Sequence, residues 1–299
     1  MHDNKNLIMR SLMFVPGHNL KLLENASKKE VDVLLLDLED SVQPDENKEV
    51  ARNMIKNWVL EGKFGKQKIY PRVNDRESGH LLKDVQELTI DGVEGFMYPK
   101  SKKGEDVYFF DKLLETIEYE KGINKGTFKI IPLIETAAAV LNAQDICKAS
   151  SRVSAIAFGC EDFISDLGGI HDSEGQSLFN PRAIIAMAAK ANNVIPIDTV
   201  HINVHDLEDL EGNLKLAKIL GFEGMLVLNP KEIPLVHQYF SPSEEEIENA
   251  KEILMLAEEA KKEGKGVAVM NGKFIGPPMI HSAKKTLRKQ KQIEAKTKK

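Results

Sequence analysis

The sequence predicts a (β/α)8 TIM barrel followed by a C-terminal helical extension. Three observations carry that expectation. Five apolar runs, at 33–40, 69–74, 96–100, 130–135 and 155–162, end in Asp40, Asn74, Lys100, Glu135 and Asp162. Nearly continuous apolar runs of this kind read as parallel strands buried on both faces. Eight strand-then-helix units follow one another between residues 12 and 240, the alternation expected of parallel strands with right-handed crossovers. No GxGxxG fingerprint is present, which favours a closed barrel over a doubly wound sheet. In a barrel the C-terminal strand ends share one rim, where active sites sit.

Taken in order, the first strand is expected at 12–16, with a helical stretch over 20–28. The second strand spans 33–40; Pro44 then stands near the start of a helix to residue 60, where its missing N–H costs nothing. The third spans 69–74, followed by helical spacing over 79–88. The fourth, 95–100, precedes a helix over 106–120. The fifth, 129–135, leads through Thr136, an N-cap, into an Ala-rich helix over 137–149. The sixth spans 153–162, and Pro181 is expected to open the next helix, to residue 192. The seventh, 196–201, precedes a helix over 207–220 closed by Gly221. The eighth, 224–229, runs into Pro230 and a segment reaching Tyr239.

These units make residues 1–240 the barrel and 241–299 the extension. Ser241-Pro242-Ser243-Glu244 marks the start of a charged helix over 244–262, ended by Gly264 and Gly266. Residues 267–279 read as a short extended segment.

Composition narrows the function classes. A 42% hydrophobic and 29% charged chain is an ordinary soluble globule. No apolar stretch approaches the roughly 18 residues of a membrane span, and residues 1–10 lack the apolar core of a signal peptide. Two cysteines, Cys147 and Cys160, make no disulfide framework; they read as small core hydrophobes in a reducing cytoplasm. Residues 284–299 hold eight Lys/Arg against Glu294 alone, so the remaining 33 basic and 45 acidic residues leave a body near −12. An acidic body argues against nucleic acid as the main partner. The basic tail reads as a solvated, frayed terminus.

The chemistry sits at the run ends. Glu135 and Asp162 end neighbouring strands, and two adjacent carboxylates need something positive between them. Mg²⁺ takes one or two protein carboxylates with water and substrate oxygens, so the pair reads as a hard-cation site; the alternative is a helix-capping role for one of them. Glu39 and Asp40 are placed to order metal-bound water. Arg72 is placed to hold a substrate carboxylate in a bidentate fork or to stabilise an oxyanion; a salt bridge to Glu39 or Asp40 is its bland alternative. Lys100 reads as a phosphate or carboxylate binder, with a Schiff-base role as a lesser option. His201 and His205 leave a strand, so helical zinc spacing does not apply. No GxSxG, Walker loop or Cys-rich metal cluster occurs.

At these residues the chain resembles the citrate lyase β-subunit family of the HpcH/HpaI aldolase superfamily, which includes citramalyl-CoA and malyl-CoA lyases. The matching segments run in the family's order from residue 10 to about 285. They are Arg10-Ser11-Leu12-Met13-Phe14-Val15-Pro16-Gly17, Asp37-Leu38-Glu39-Asp40-Ser41-Val42, Pro71-Arg72-Val73-Asn74 and Pro99-Lys100-Ser101. Ile134-Glu135-Thr136, Gly159-Cys160-Glu161-Asp162-Phe163, Asp198-Thr199 and Gly221-Phe222-Glu223-Gly224 complete the set. Each is weak alone, and their ordered set is specific.

The resemblance implies a Mg²⁺-binding barrel, trimeric or hexameric, that cleaves a hydroxyacyl thioester on coenzyme A or an acyl carrier protein. It implies Glu135 and Asp162 as metal ligands, Arg72 as carboxylate and oxyanion clamp, and Glu39 with Asp40 as support for the metal's waters. Two positions depart from the pattern. Asn229-Pro230 stands where many members have His-Pro. In the C-terminal segment, where active lyases resemble Gly-Lys-Met-Ile-Asp-x-Pro, the chain reads Gly272-Lys273-Phe274-Ile275-Gly276-Pro277-Pro278, so the aspartate that acts from a neighbouring subunit is Gly276.

The expected function is a cytoplasmic, homo-oligomeric Mg²⁺-dependent carbon–carbon lyase. It would split a citryl-, citramalyl- or malyl-type thioester into an acetyl thioester and a 2-oxo acid, alone or with citrate lyase complex subunits. The alternatives are a related metal-dependent 2-oxo-acid aldolase, a thioesterase-like enzyme, or a non-catalytic subunit.

Overall fold

Eight parallel strands close into a barrel in sequence order: β1 (Ser11–Pro16), β2 (Val33–Asp37), β3 (Lys68–Arg72), β4 (Gly95–Tyr98), β5 (Lys129–Ile134), β6 (Ala155–Phe158), β7 (Ile195–Asp198) and β8 (Gly224–Val227). The protein is described by a computed structural model over residues 7–172, 175–262, 264, 267–270 and 272–298. Leu12 pairs with Val33 on one side and Leu226 on the other, which closes the ring.

Strand parity fills the barrel. Val33 and Leu35, Ile131 and Leu133, Ala155 and Ala157, and Ile195 and Ile197 join Leu12, Tyr70, Met97 and Leu226 in one buried cluster. The intervening Leu34, Leu36, Ile130, Ile134 and Ile156 are equally buried, because helices cover the other face of each strand. One step further along the same parity come Asp37 after Leu35, Arg72 after Tyr70 and Glu135 after Leu133. The apolar layers therefore continue into a charged layer at the C-terminal mouth.

The barrel helices are α1 (Leu20–Ser27), α2 (Asn47–Leu60), α3 (Leu81–Leu88), α4 (Gly104–Glu120), α5 (Ala137–Leu141), α6 (Ala143–Lys148), α7 (Cys160–Leu167), α8 (Gln176–Ala191) and α9 (Leu207–Leu220). Thr136 caps α5 as its position predicts, accepting from the Ala139 N–H at 3.1 Å. Gly221, at φ +93°, closes α9 in the left-handed conformation that glycine adopts without steric cost.

Several elements depart from expectation. Apart from β1, the strands stop one to four residues early, so Glu39, Asp40, Lys100, Glu135 and Asp162 lie beyond strand ends rather than on them. Asp162 sits in the first turn of α7, where an acid is favoured by the helix dipole. The Ala-rich helix breaks at Asn142 into α5 and α6. Pro181 lies inside α8 rather than opening it. Asp172 takes over the start, its carboxylate accepting from the N–H groups of Gln176 and Ser177 at 2.9 and 2.8 Å. Cys147 and Cys160 are buried free thiols, as expected.

The chain divides into two compact units, one ending at Val236 and one beginning at His237, with α10 (Ile233–Phe240) crossing the boundary. The second unit holds α11 (Glu244–Lys262), an antiparallel hairpin of β9 (Ala268–Met270) and β10 (Lys273–Ile275), and α12 (Pro277–Lys298). Ser243 and Glu246 form a reciprocal cap at the start of α11. The basic tail is a correction: it continues α12. Met279, Ile280, Ala283 and Leu287, at helical spacing, pack with Ala250, Ile253, Leu254 and Ala257 of α11. The face left to solvent carries the lysines. Among the described residues no helix is long and apolar enough to cross a membrane.

Candidate active site

The charged layer is organised by a pair that register sets directly opposite each other, Asp37 on β2 and Arg72 on β3. The Arg72 Nε and Nη2 groups donate to the two oxygens of Asp37 at 2.6 and 2.7 Å. Asp37 also accepts from the N–H groups of Glu39 and Ser41 and from the Ser41 hydroxyl. Burial alone would raise the Asp37 pKa; the Arg72 charge and these donors more than offset it and hold the carboxyl below its ordinary range. Arg72, lying 4.8 Å over the Phe14 ring, is correspondingly held in its charged form by Asp37, Glu39 and Asp40 against the cost of burial.

A bidentate fork does form, and within the chain its partner is Asp37. The Nε edge of Arg72 is filled by Asp37, leaving the end of the guanidinium to face the mouth. There Nη1 lies 3.1 Å from Asp40 and 3.2 Å from Glu39, so the salt bridges to those two acids, the bland alternative for Arg72, do form.

Glu39 is buried, and neither of its carboxylate oxygens has a hydrogen-bond partner of good geometry. Burial lifts its pKa to about 7, opposed by the charge of Arg72 and assisted by that of Asp40. Asp40, in contrast, is exposed. Lys48, buried on α2, donates to the backbone carbonyls of Leu38 and Glu39 at 2.8 and 2.6 Å. It fixes the turn that presents Glu39 and Asp40.

Lys100 ties two strands' ends together. Its backbone N–H donates to Glu135, and its ammonium lies 3.1 Å from Glu39 and 3.0 Å from Asp75. Its φ of +52° is rare for a residue with a side chain and marks a position held by its surroundings. The acids around the ammonium overcome partial burial and raise its pKa. A lysine held so firmly protonated is a poor Schiff-base nucleophile. Within the chain it bridges Glu39, through its ammonium, and Glu135, through its backbone N–H.

Glu135 is the most buried acid of the mouth after Asp37. Its pKa rises to about 8, chiefly from burial, with the negative charges of Glu39 and Asp162 adding and the Lys100 N–H and Arg72 subtracting. Space for it comes from Gly159, where a Cβ would lie 3.1 Å from the Glu135 Cβ and 3.4 Å from Oε2. Asp37, Glu39, Asp40, Asp75 and Glu135 thus surround two cations, Arg72 and Lys100, and the exposed Asp162 adds its charge near Glu135. Oxygen donors, surplus negative charge and the unsatisfied Glu39 oxygens fit a hard divalent cation.

Of the residues singled out from the sequence, the structure brings Glu39, Asp40, Arg72, Lys100 and Glu135 into one contact network, with Asp162 on the first turn of α7 acting on Glu135 through its charge. Asp37 and Lys48 were not anticipated. Parity with Val33 and Leu35 would have found Asp37, whereas nothing in the local pattern marks Lys48 as buried.

A family model described as HpcH/HpaI aldolase/citrate lyase matches residues 10–230. The chain is 34% identical over 284 residues to the citrate lyase subunit beta of Haemophilus influenzae, covering 95% of this chain and 97% of the relative. It is 30% identical to the L-malyl-CoA/beta-methylmalyl-CoA lyase of Cereibacter sphaeroides, with 96% of each chain covered. Among solved structures, the CitE protein of Mycobacterium tuberculosis in complex with magnesium, acetoacetate and coenzyme A superposes with a TM-score of 0.72 at 25% identity, over 93% of this chain and 97% of that one.

Proposed function

Because the chain belongs to the HpcH/HpaI aldolase/citrate lyase family, we propose that this lyase cleaves a short hydroxyacyl thioester of the citryl, citramalyl or malyl type. The products are an acetyl thioester and a 2-oxo acid. The observation that carries the reading is the buried Glu135 carboxylate, crowded by Glu39 and Asp162 beside a pinned Arg72. Relatives named as citrate lyase and malyl-CoA lyase, and a neighbour solved with magnesium and coenzyme A, support it.

Glu135 and Asp162 would hold Mg²⁺. When bound, the ion supplies Lewis-acid polarisation of the carboxylate and carbonyl oxygens of the 2-oxo acid. In cleavage, the bond between the hydroxyl-bearing carbon and the acyl CH₂ breaks. Its electron pair passes to the thioester enolate while the hydroxyl gives its proton to a carboxylate of the mouth, for which Glu39, its pKa at about 7, is suited, and becomes the 2-oxo group. Arg72, held immobile by Asp37, presents the end of its guanidinium to the developing charge. Lys100 keeps Glu135 and Glu39 in place, and Glu39 and Asp40 would support the water of a bound ion. The enolate carbon then needs one proton. Gly276 has no side chain to give it, so another group takes that task or the chain serves as a binding subunit.

The direct experiment supplies Mg²⁺ with citryl-, citramalyl- and malyl-thioesters, on coenzyme A and on acyl carrier protein, and follows acetyl-thioester release. Mg²⁺-dependent release from one of them is expected. Release undiminished in excess chelator would sink the metal assignment, and silence with all of them would favour the binding subunit. Gly276→Asp should raise the rate by about 10²–10⁴-fold if only the proton donor is missing.

A further inference from the structure

Beside the carboxylate mouth lies a second donor set of different chemistry. Cys160, the first residue of α7, is buried, and its Sγ approaches Glu161 Oε1 at 3.8 Å. His171, ten residues on, brings Nε2 to 2.8 Å from the same oxygen. The three ligand atoms all lie within 4.8 Å of one another, the one such group of three or more His, Cys, Asp or Glu side chains among the described residues. The side chains of Glu161 and His171 are 58% and 33% exposed, so an ion reaches them from solvent while the sulfur waits beneath.

We propose that Cys160, Glu161 and His171 form a transition-metal site of the zinc class, separate from the hard-cation site at Glu135 and Asp162. Zn²⁺ binds sulfur at about 2.3 Å and imidazole nitrogen or carboxylate oxygen at about 2.0–2.2 Å, so the edges of its tetrahedron measure roughly 3.3–3.6 Å. The present sulfur–oxygen separation of 3.8 Å is already close to such an edge, and the nitrogen–oxygen contact of 2.8 Å opens by about half an ångström when an ion replaces the shared proton. Donor softness sets the selectivity. A thiolate and an imidazole suit zinc or cobalt, whereas Mg²⁺ prefers oxygen alone. Three protein ligands leave a fourth position for water or an outside ligand. On binding, the thiol proton leaves to solvent and a sulfur–metal bond takes its place.

Such a site pins residue 171 to the first turn of α7, next door to Asp162. Occupancy therefore changes the edge of the mouth without using any ligand of the hard-cation site. The competing explanation is a bare surface ion pair between His171 and Glu161, which binds no metal.

Co²⁺ distinguishes the two, because a thiolate ligand gives a charge-transfer band in the near ultraviolet and oxygen ligands do not. The full-length protein, first saturated with Mg²⁺, is titrated with Co²⁺. A stoichiometric thiolate band that Zn²⁺ abolishes is expected. It should vanish in Cys160→Ser and persist in Cys147→Ser and in the double variant Glu135→Ala, Asp162→Ala. Since Cys160 is buried, the exposed position supplies a control for folding: Glu161→Ala should weaken Co²⁺ binding by about tenfold or more. No band, a band that survives Cys160→Ser, or unchanged affinity in Glu161→Ala would overturn the site.

Discussion

Two buried aspartates bracket β2, and each is gripped by an arginine in the same way. At the N-terminal end Arg10 donates from Nε and Nη2 to Asp32 at 2.8 and 2.9 Å. At the C-terminal end Arg72 donates from Nε and Nη2 to Asp37 at 2.6 and 2.7 Å. All four side chains are at least nine-tenths buried. The difference lies in what surrounds them. Asp32 also accepts the Arg10 backbone N–H and its own N–H donates to Ser11, so the lower pair stitches β1 to β2. The upper pair faces Glu39, Asp40 and, through Lys100, Glu135. The same donor atoms serve strand assembly at one end and the proposed chemistry at the other, in keeping with the general division of labour between the two faces of such barrels.

Mutations at the two ends should separate accordingly. The largest effect is expected from Glu135→Ala combined with Asp162→Ala, which should abolish Mg²⁺-dependent cleavage while leaving the thermal transition near that of the parent; a double variant that still needs Mg²⁺ would relocate the ion. Next comes Arg72→Ala, expected to lower kcat by about 10²–10³-fold. It should also cost roughly 3–5 kcal/mol of stability by stranding Asp37, read from denaturant melts. Arg10→Ala should show a similar stability loss, roughly 3–5 kcal/mol, with the kcat of the folded fraction essentially unchanged. Equal kcat losses at the two arginines would erase the distinction.

The smallest effect concerns pH. His201 is buried, with Nε2 2.8 Å from Asp209 and Nδ1 3.8 Å from Glu232. Burial alone would lower its pKa, but these two carboxylates raise it above the ordinary value. Its contribution to stability is therefore fully present below about pH 6.5 and is lost as pH rises through the higher folded value. His201→Gln should be less stable than the parent in acid and converge on it in alkali, as measured by melts across that range. A gap that widens with rising pH would contradict the ion-pair arrangement.

Much of this was legible because the barrel writes its plan in short, regular units. The apolar runs located β2 through β6, and the acids and bases at their ends located the mouth. Strand ends were less legible. Gly159-Cys160-Glu161-Asp162 reads equally as the end of a run and as an acidic first helical turn, and the helix won. The clamp on Arg72 was missed because Asp37 stands inside an apolar run, one step before the more conspicuous Glu39-Asp40. Lys48 was missed because a helical lysine is ordinarily solvated, whereas this one is used by two carbonyls. The charge of residues 284–299 hides that the helix carrying them is anchored by Met279, Ile280, Ala283 and Leu287.

The parity of β2 has a consequence for how such a molecule can change. Val33 and Leu35 plug the barrel and Asp37 meets Arg72 on the same side of the same strand. A single-residue slip would turn Leu36 to the mouth and press Asp37 against the helices. Packing and charge placement are inherited together there, and drift cannot alter one without wrecking the other. Glu39, Asp40, Lys100 and Glu135 stand just beyond the strands, where contacts at the mouth rather than strand parity hold them. New substrate preferences therefore have room to arise in those connecting turns, while the strand positions beneath them stay locked.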